Sequence, residues 1–452
     1  MSAGERKAAF ALAGLYALRM LGLFMVLPVF ALYAEDLAGA TPLLTGIAIG
    51  IYGLTQACLQ IPFGMLSDRF GRKRLIIIGL SLFAAGSVIA ALADSILVMM
   101  LGRALQGSGA IAAVVLALAA DLSREEQRTK MMAVIGISIG VSFALSMVLG
   151  PALHSWIGIK GIFWLTAVMA VMAVLITHFV IPQPLQPRRH QDTTPVPALF
   201  KQVLRDPQLV RLDVSILMLH TVLTATFVAA PLALRDGAGF PTHLHWLVYL
   251  SALVLSIVVV IPSIILAEKY GRLKPMLLAA IVVLGIAELG LANFYHSLGI
   301  TVTLIFVFFA AFNLLEASLP SLISKFSPPN AKGTAMGVYS SSQFLGAFLG
   351  GAMGGWMHGQ FGLQGVFAFA ALSALLWFGV AYTMQPPRPL SSYLLHLGAL
   401  SDNEADQIAF RLSQIRGVVD AVVIAAEGVA YLKVDRDKLD KAALQEFSIA
   451  KV

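Results

Sequence analysis

Six side chains that carry charge or strong hydrogen-bonding groups stand inside long apolar stretches of this chain: Arg19, Arg103, His220, Glu288, Asn313 and Glu316. A charge in hydrocarbon is costly unless it is paired or faces water, so positions of this kind mark function by default. The chemistry they suit is the handling of protons and ions, not covalent catalysis. An arginine cannot shed its charge and needs an anion or water beside it. A glutamate can take or release a proton as its surroundings change. Glu316 shares a helical face with Asn313 at i, i+3 spacing and is expected nearer the membrane midplane than Glu288, which reads as lying in the outer part of its span. Glu316 is therefore the expected proton carrier, with Glu288 and His220 as alternatives. His220 also reads as a bonded interior histidine, although an ordinary pKa of about 6.5 suits it to proton traffic.

A second group of charges crowds the stretch Gly64-Met65-Leu66-Ser67-Asp68-Arg69-Phe70-Gly71-Arg72-Lys73-Arg74, which separates two long apolar runs. So short a connection must reverse at a membrane surface, because irregular backbone cannot be satisfied in lipid. Its cations alone read as a positive-inside loop. They leave unexplained an aspartate set between glycines at fixed offsets.

Composition agrees with a membrane location. The chain has 452 residues, 58% hydrophobic and 12% charged, where globular domains carry about 25% charged residues. The net charge of +7 sits in loops, where anionic lipid accounts for it, and is no nucleic-acid signal. The single cysteine, Cys58, excludes an internal disulfide and a multi-cysteine metal site, and is expected to be a buried, inert thiol. No Walker loop occurs, so ATP does not drive the protein directly; no metal and no other cofactor is expected. Glu5, Arg6 and Lys7 precede an apolar run too long for a cleavable signal peptide.

Twelve apolar stretches are long enough to span, at 8–33, 43–66, 75–93, 96–120, 131–153, 162–181, 209–234, 243–267, 275–294, 300–323, 335–357 and 364–384. Cations collect on alternate connections, with only Lys160 and Arg235 on the opposite set, so both termini are expected in the cytoplasm. The proline-rich segment 182–208 divides a first bundle, 1–181, from a second, 209–384. The two are repeats: Pro28, Asp36, Gly39, Pro62, Asp68, Gly71 and Arg72 match Pro231, Asp236, Gly239, Pro262, Glu268, Gly271 and Arg272. His154, Gly158, Gly161 and Phe163 match His358, Gly362, Gly365 and Phe367 at one offset. Residues 385–452 form a separate soluble unit after a proline hinge, with strands at 393–397, 418–424 and 429–434. A capping box opens its first helix at Ser401, and Asp440 caps a last helix ending near Phe447. With an edge strand at 448–452 the order is β-α-β-β-α-β, a ferredoxin-like fold. It resembles the small heavy-metal-associated domains but lacks their paired cysteines, so no copper or zinc is expected.

The stretch at 64–74 resembles the G-x-x-x-D-R-x-G-R-[KR] signature of the major facilitator superfamily, with Gly64, Asp68, Arg69, Gly71, Arg72 and Lys73 in place. Gly102-Arg103-Ala104-Leu105-Gln106-Gly107 resembles the superfamily's fourth-helix motif, in which the arginine is associated with proton coupling. A structural arginine bonded to backbone carbonyls is the other reading. Gly150-Pro151 resembles part of the antiporter motif, with Ser146, His154 and Ser155 at its other glycine positions. Antiport or simple close packing both fit. The resemblance implies an all-α bundle of twelve helices in two six-helix repeats, with a substrate site between them. It further implies a proton-driven antiporter in the bacterial inner membrane, exporting a small molecule and acting as a monomer in lipid. Symport import, or a sensor signalling through the C-terminal unit, are the alternatives. Across such a cavity Arg103 is the expected charge partner of Glu316, either exchangeably or as a permanent tie.

Gly64, Asp68, Arg69, Gly71, Arg72 and Arg74 are expected to latch the outward-facing state. Asp68 would then face the N-terminal end of the eleventh helix near Thr334. The second copy, with Glu268 but Ile264 for the first glycine, should latch less well. Asp68→Asn should raise cytoplasmic accessibility to cysteine labelling; unchanged labelling in a well-expressed variant would contradict the latch.

Overall fold

The computed structural model describes residues 1–182, 199–328, 331–386, 390–398, 401–425, 428–435, 438–440, 443–444 and 446–447. Most of the linker, the hinge at 387–389, the expected strand at 448–452 and the side chain of Glu268 lie outside what is described. The helices are α1 (Ala3–Phe24), α2 (Phe30–Ala34), α3 (Pro42–Phe70), α4 (Arg72–Ala91), α5 (Ile96–Ser108), α6 (Ala112–Asp121) and α7 (Glu125–Phe179). After the linker come α8 (Phe200–Arg205), α9 (Pro207–Leu232), α10 (His245–Lys269), α11 (Leu273–Phe294), α12 (Leu298–Phe326) and α13 (Lys332–Tyr382).

Among the described residues, ten helical segments are long and apolar enough to cross a membrane. Two of these, within α7 and α13, run to 50 and 51 residues, and about 20 suffice for one crossing. Each therefore holds two spans, which meet at Gly158 (φ 64°) and Gly362 (φ 65°). That recovers twelve spans, with the first interrupted ahead of α2 and the fourth between α5 and α6. The ends are set by local chemistry. Thr41, Ser95 and Asp206 accept hydrogen bonds from the first-turn amides of α3, α5 and α9, and Pro42 and Pro207 occupy first-turn positions that need no amide. One residue, Gly71, separates α3 from α4 at φ 93°, a conformation that favours glycine. The duplication is visible in the backbone: Gly39 and Gly239, Gly71 and Gly271, Gly158 and Gly362 all have positive φ.

The two bundles meet on the side away from the chain termini. Lipid gives no hydrophobic drive to pair helices, so small residues that admit backbone contact must do it. A Cβ on Gly46 of α3 would lie 2.1 Å from the Gly351 carbonyl oxygen of α13, and one on Gly355 would lie 2.4 Å from that of Pro42. Gly50 and Gly53 also pack on the backbone of Phe348 and Phe344, at 2.8 and 2.4 Å from a built Cβ. On the same side the Arg235 guanidinium, in the second bundle, donates to both oxygens of Glu35, in the first, at 2.8 and 3.1 Å. Cys58 on α3 is exposed, which corrects the expectation of a buried thiol. In a membrane helix an apolar neighbourhood does not imply the protein interior.

The C-terminal unit carries β1 (Leu390–His396), α14 (Asp402–Ser413), β2 (Val418–Ile424) and β3 (Val429–Asp435). The strands form an antiparallel sheet in the order β1-β3-β2. Leu395, Leu412, Ala430, Leu432 and Val434 form its core. The capping box at Ser401 and Glu404 is present, and Asp440 accepts a hydrogen bond from the Ala443 amide at 3.1 Å. The hydrogen bonds from Ser401 hold the Glu404 carboxyl below the usual carboxylate range.

Gly46→Val would force apart the backbones of α3 and α13. Overpacking of this kind costs about 1–3 kcal/mol, so the variant should favour the state open on the side away from the termini. Accessibility of engineered cysteines on that side should rise; no change would mean this contact does not hold the bundles together.

Candidate functional site

Between the bundles lies a cavity of about 1260 Å³ that reaches from the middle of the spans toward the side of the termini. Its two walls differ in chemistry.

The first wall is built on α1, α3 and α5. Arg19 is fully buried within α1. Its Nη2 donates to Tyr52 Oη, Gln56 Oε1 and the Gly109 carbonyl at 2.8, 2.7 and 3.0 Å. The break between α5 and α6 is what leaves the Gly109 carbonyl available. Gln56 passes the bond on, its Nε2 donating to Gln60 Oε1 at 3.1 Å. Arg103 lines the cavity and lies over the Tyr52 ring, 5.3 Å from its centroid. It donates to Gln106 Oε1 at 2.8 Å and to the Ile49 carbonyl at 3.4 Å. Among the described residues, neither guanidinium has a carboxylate within ion-pair distance.

The second wall is built on α9, α12 and α13. Gln343 Nε2 donates to Glu316 Oε1 at 3.2 Å and to His220 Nε2 at 2.9 Å. The His220 Nδ1 lies 3.3 Å from the Ile216 carbonyl, which can only accept, so the ring proton sits on Nδ1. Glu316 Oε2 is 3.9 Å from His220 Nε2, and the Glu316 side chain is 36% exposed. Asn313 donates to Ser256 Oγ at 3.0 Å, leaving its carbonyl oxygen as an acceptor.

The structure thus gathers Arg103, His220, Asn313 and Glu316 around one cavity. It does not pair Arg103 with Glu316: each is held by neighbours on its own wall. Arg19 sits behind the first wall, bonded to Tyr52. Glu288 is not at the cavity; it is fully buried in the second bundle, where Thr226 donates to it at 2.7 Å. Gly150 packs against the Met25 carbonyl, which a Cβ would approach to 2.4 Å, and Ser146 donates to the Leu21 carbonyl at 3.2 Å. Around Gly150 and Pro151, small side chains let the fifth span close on the first.

In the 64–74 stretch Arg72 is a buried anchor. It pairs with Asp68 at 2.9 Å, with Ser67 at 3.1 Å and with Asp121 at the end of α6. Lys73 donates to the carbonyls of His178 and Ile181 at 2.8 Å, capping the sixth span. Arg69 lies over the Phe70 ring at 5.6 Å, and Arg74 is exposed.

Sequence reading missed Asp213 in α9, which is buried with no hydrogen-bond partner for either carboxylate oxygen. Its place inside the 209–234 apolar stretch was the available signal, obscured by Arg211 near the start of the span. It also missed Gln60 and Gln343, since an amide in an apolar run carries no charge to mark it. Tyr393, Tyr431 and Leu432 of the C-terminal unit line the mouth of the cavity, together with Lys332, and no local sequence pattern could indicate that.

A family model described as Major Facilitator Superfamily matches residues 12–264 and 212–395. The inner membrane transport protein YajR of Escherichia coli is 47% identical over 447 residues, covering 99% of this chain and 98% of the relative. The multidrug resistance protein MdtH of Proteus mirabilis is 26% identical over 346 residues, 75% of this chain and 84% of its own. Among solved structures, a mutant of the nucleoside transporter NupG aligns with a TM-score of 0.68 at 14% identity, over 83% of this chain and 99% of that one. A bacterial homologue of the human lysosomal transporter Spinster, inward-facing and occupied, aligns with a TM-score of 0.68 at 13% identity, over 84% and 97%. Twelve spans in two repeats, a cavity between them and these similarities together establish that the chain is a multi-pass membrane transporter belonging to the major facilitator superfamily.

Proposed function

We propose that the protein is a proton-driven antiporter that exports a small molecule across the bacterial inner membrane. In this reading the side of the termini is cytoplasmic, the cavity is the inward-facing substrate site, and the protein works as a monomer. The observation that carries the proposal is Glu316. Among the described residues lining the cavity it is the one acid, part exposed, hydrogen-bonded to Gln343 and next to His220. A carboxyl in that position can exchange its proton with water in the cavity while the cations on the opposite wall cannot. His220 Nε2, an acceptor in this tautomer, offers the proton a second stop. The similarity to the multidrug resistance protein MdtH and the partial Gly150-Pro151 motif lean toward export.

The latch expectation is compatible with this conformation. With the cytoplasmic side open, Asp68 is held by Arg72 in its own bundle, and closure would bring the start of α13 toward it. The C-terminal unit we read as ferredoxin-like on the order β1-α14-β2-β3 and the strand order β1-β3-β2. Its place at the cavity mouth favours regulation of access over passive stabilisation.

Glu316→Gln should fold and bind substrate but lose the pH dependence of transport in proteoliposomes. Wild-type proton flux in that variant would eliminate Glu316 as carrier and leave His220 or Glu288. Truncation near Pro389 should leave the membrane bundle inserted while changing transport rate; loss of insertion would contradict an independent unit, and identical rates under all conditions would favour a passive one.

A further inference from the structure

The first wall of the cavity has a direction built into its hydrogen bonds. A guanidinium can only donate. Arg19 therefore fixes Gln56 Oε1 as an acceptor, at 2.7 Å. Gln56 must then present its NH₂ group onward, which it does to Gln60 Oε1 at 3.1 Å. With that oxygen engaged, Gln60, which lines the cavity, ends the chain with an N–H donor. Tyr52, whose hydroxyl accepts from Arg19, donates its own proton to Gln56 Oε1 at 3.2 Å, so both its bonds stay within the wall. Arg103 lines the same cavity; its five N–H groups meet two protein acceptors and its Nε has none. This wall ends in donors and positive charge.

The charge balance points the same way. Arg103 lines the cavity with Arg19 buried behind it, and across from them Glu316 is the one acid among the described residues of the lining. With Glu316 protonated, the fixed charge at the site is positive. A low-dielectric cavity of one sign concentrates the opposite sign. Much of the remaining lining is apolar, with an aromatic row among it. Phe24 and Phe143 of the first bundle meet edge to face at 5.1 Å, and Phe143 reaches Phe312 of the second at 6.0 Å. This row crosses the boundary between the bundles and suits a flat apolar body.

We propose that the cavity takes amphipathic organic anions, with a carboxylate-type group seated on Arg103 and a planar apolar body along Phe24, Phe143 and Phe312. The inference rests on reading this cavity as the transport site, and it leaves Glu316 free for the proton. The test is calorimetric titration of the purified full-length protein, in detergent at neutral pH, with three matched probes: naphthoate, naphthamide and naphthylmethylamine. Naphthoate should bind at least about tenfold more tightly than the amide, as a charge-assisted contact requires, and the amine most weakly. Arg103→Gln should abolish the acid's advantage and Arg103→Lys keep part of it. Should Arg103→Gln fail to fold, Gln60→Glu serves instead and should reverse the order, favouring the amine. Equal or tighter binding of amide or amine to the wild type would overturn the proposal. So would binding of none of the three at millimolar concentration, or a folded Arg103→Gln protein that still prefers the acid. Acid selectivity without pH-dependent transport would defeat proton coupling and leave this proposal standing; pH-dependent transport with amine selectivity would do the reverse.

Discussion

Arg19 is a permanent charge with no access to solvent, and much of the first bundle is arranged to meet it. A buried charge left uncompensated is strongly destabilising, so it needs acceptors from the protein. Its Nη2 finds them on the second span, through Tyr52 and Gln56, and on the fourth, through the Gly109 carbonyl, while Nε and Nη1 have none among the described residues. The last of these exists because the fourth span breaks at that glycine. The same three spans thereby become one rigid wall. Arg103, tied to Gln106 and to the Ile49 carbonyl, adds a second fixed cation to it. The opposite wall has no fixed cation among its central residues; it has a carboxyl, an imidazole and two amides, groups that can change protonation or partner.

That division of labour is laid over a symmetric frame. Paired glycines with positive φ recur in both bundles, and Phe163 and Phe367 are buried at equivalent positions after the two inter-span turns. The ionisable groups at the cavity are not duplicated. A frame that repeats while those groups do not is suited to a machine in which one half holds and the other exchanges. The contact between halves is suited to motion as well. Glycine-to-backbone packing along α3 and α13 buries little side-chain area and interlocks few rotamers. One half can therefore rock on the other without unpacking a core.

The span count, the duplication, the repeat glycines and the capping box at Ser401 were legible in the sequence because each depends on composition or spacing within a few residues. So was the presence of Arg19, Arg103 and Glu316 inside the spans, since an ion in an apolar run stands out. What was not legible depends on contacts between distant elements. The amides Gln60 and Gln343 carry no charge to distinguish them, yet one ends the donor chain and the other holds Glu316. Glu288 stood as an alternative to Glu316 in sequence, and only the packing of α11 against α12 and α13 removes it from the cavity. Asp213 was overlooked because a carboxylate near a span end reads as interfacial. Cys58 was misjudged because hydrophobicity in a membrane helix does not separate lipid-facing from core positions.

If the second wall carries the exchangeable proton, it should be seen directly on Glu316. Infrared difference spectra of the purified full-length protein across a pH step report protonated carboxyl groups through their C=O stretch. An exchanging Glu316 predicts a carboxyl band that changes with pH in the wild type and is missing from Glu316→Gln. The same pH-dependent band in both proteins would place the exchanging proton elsewhere and contradict the assignment.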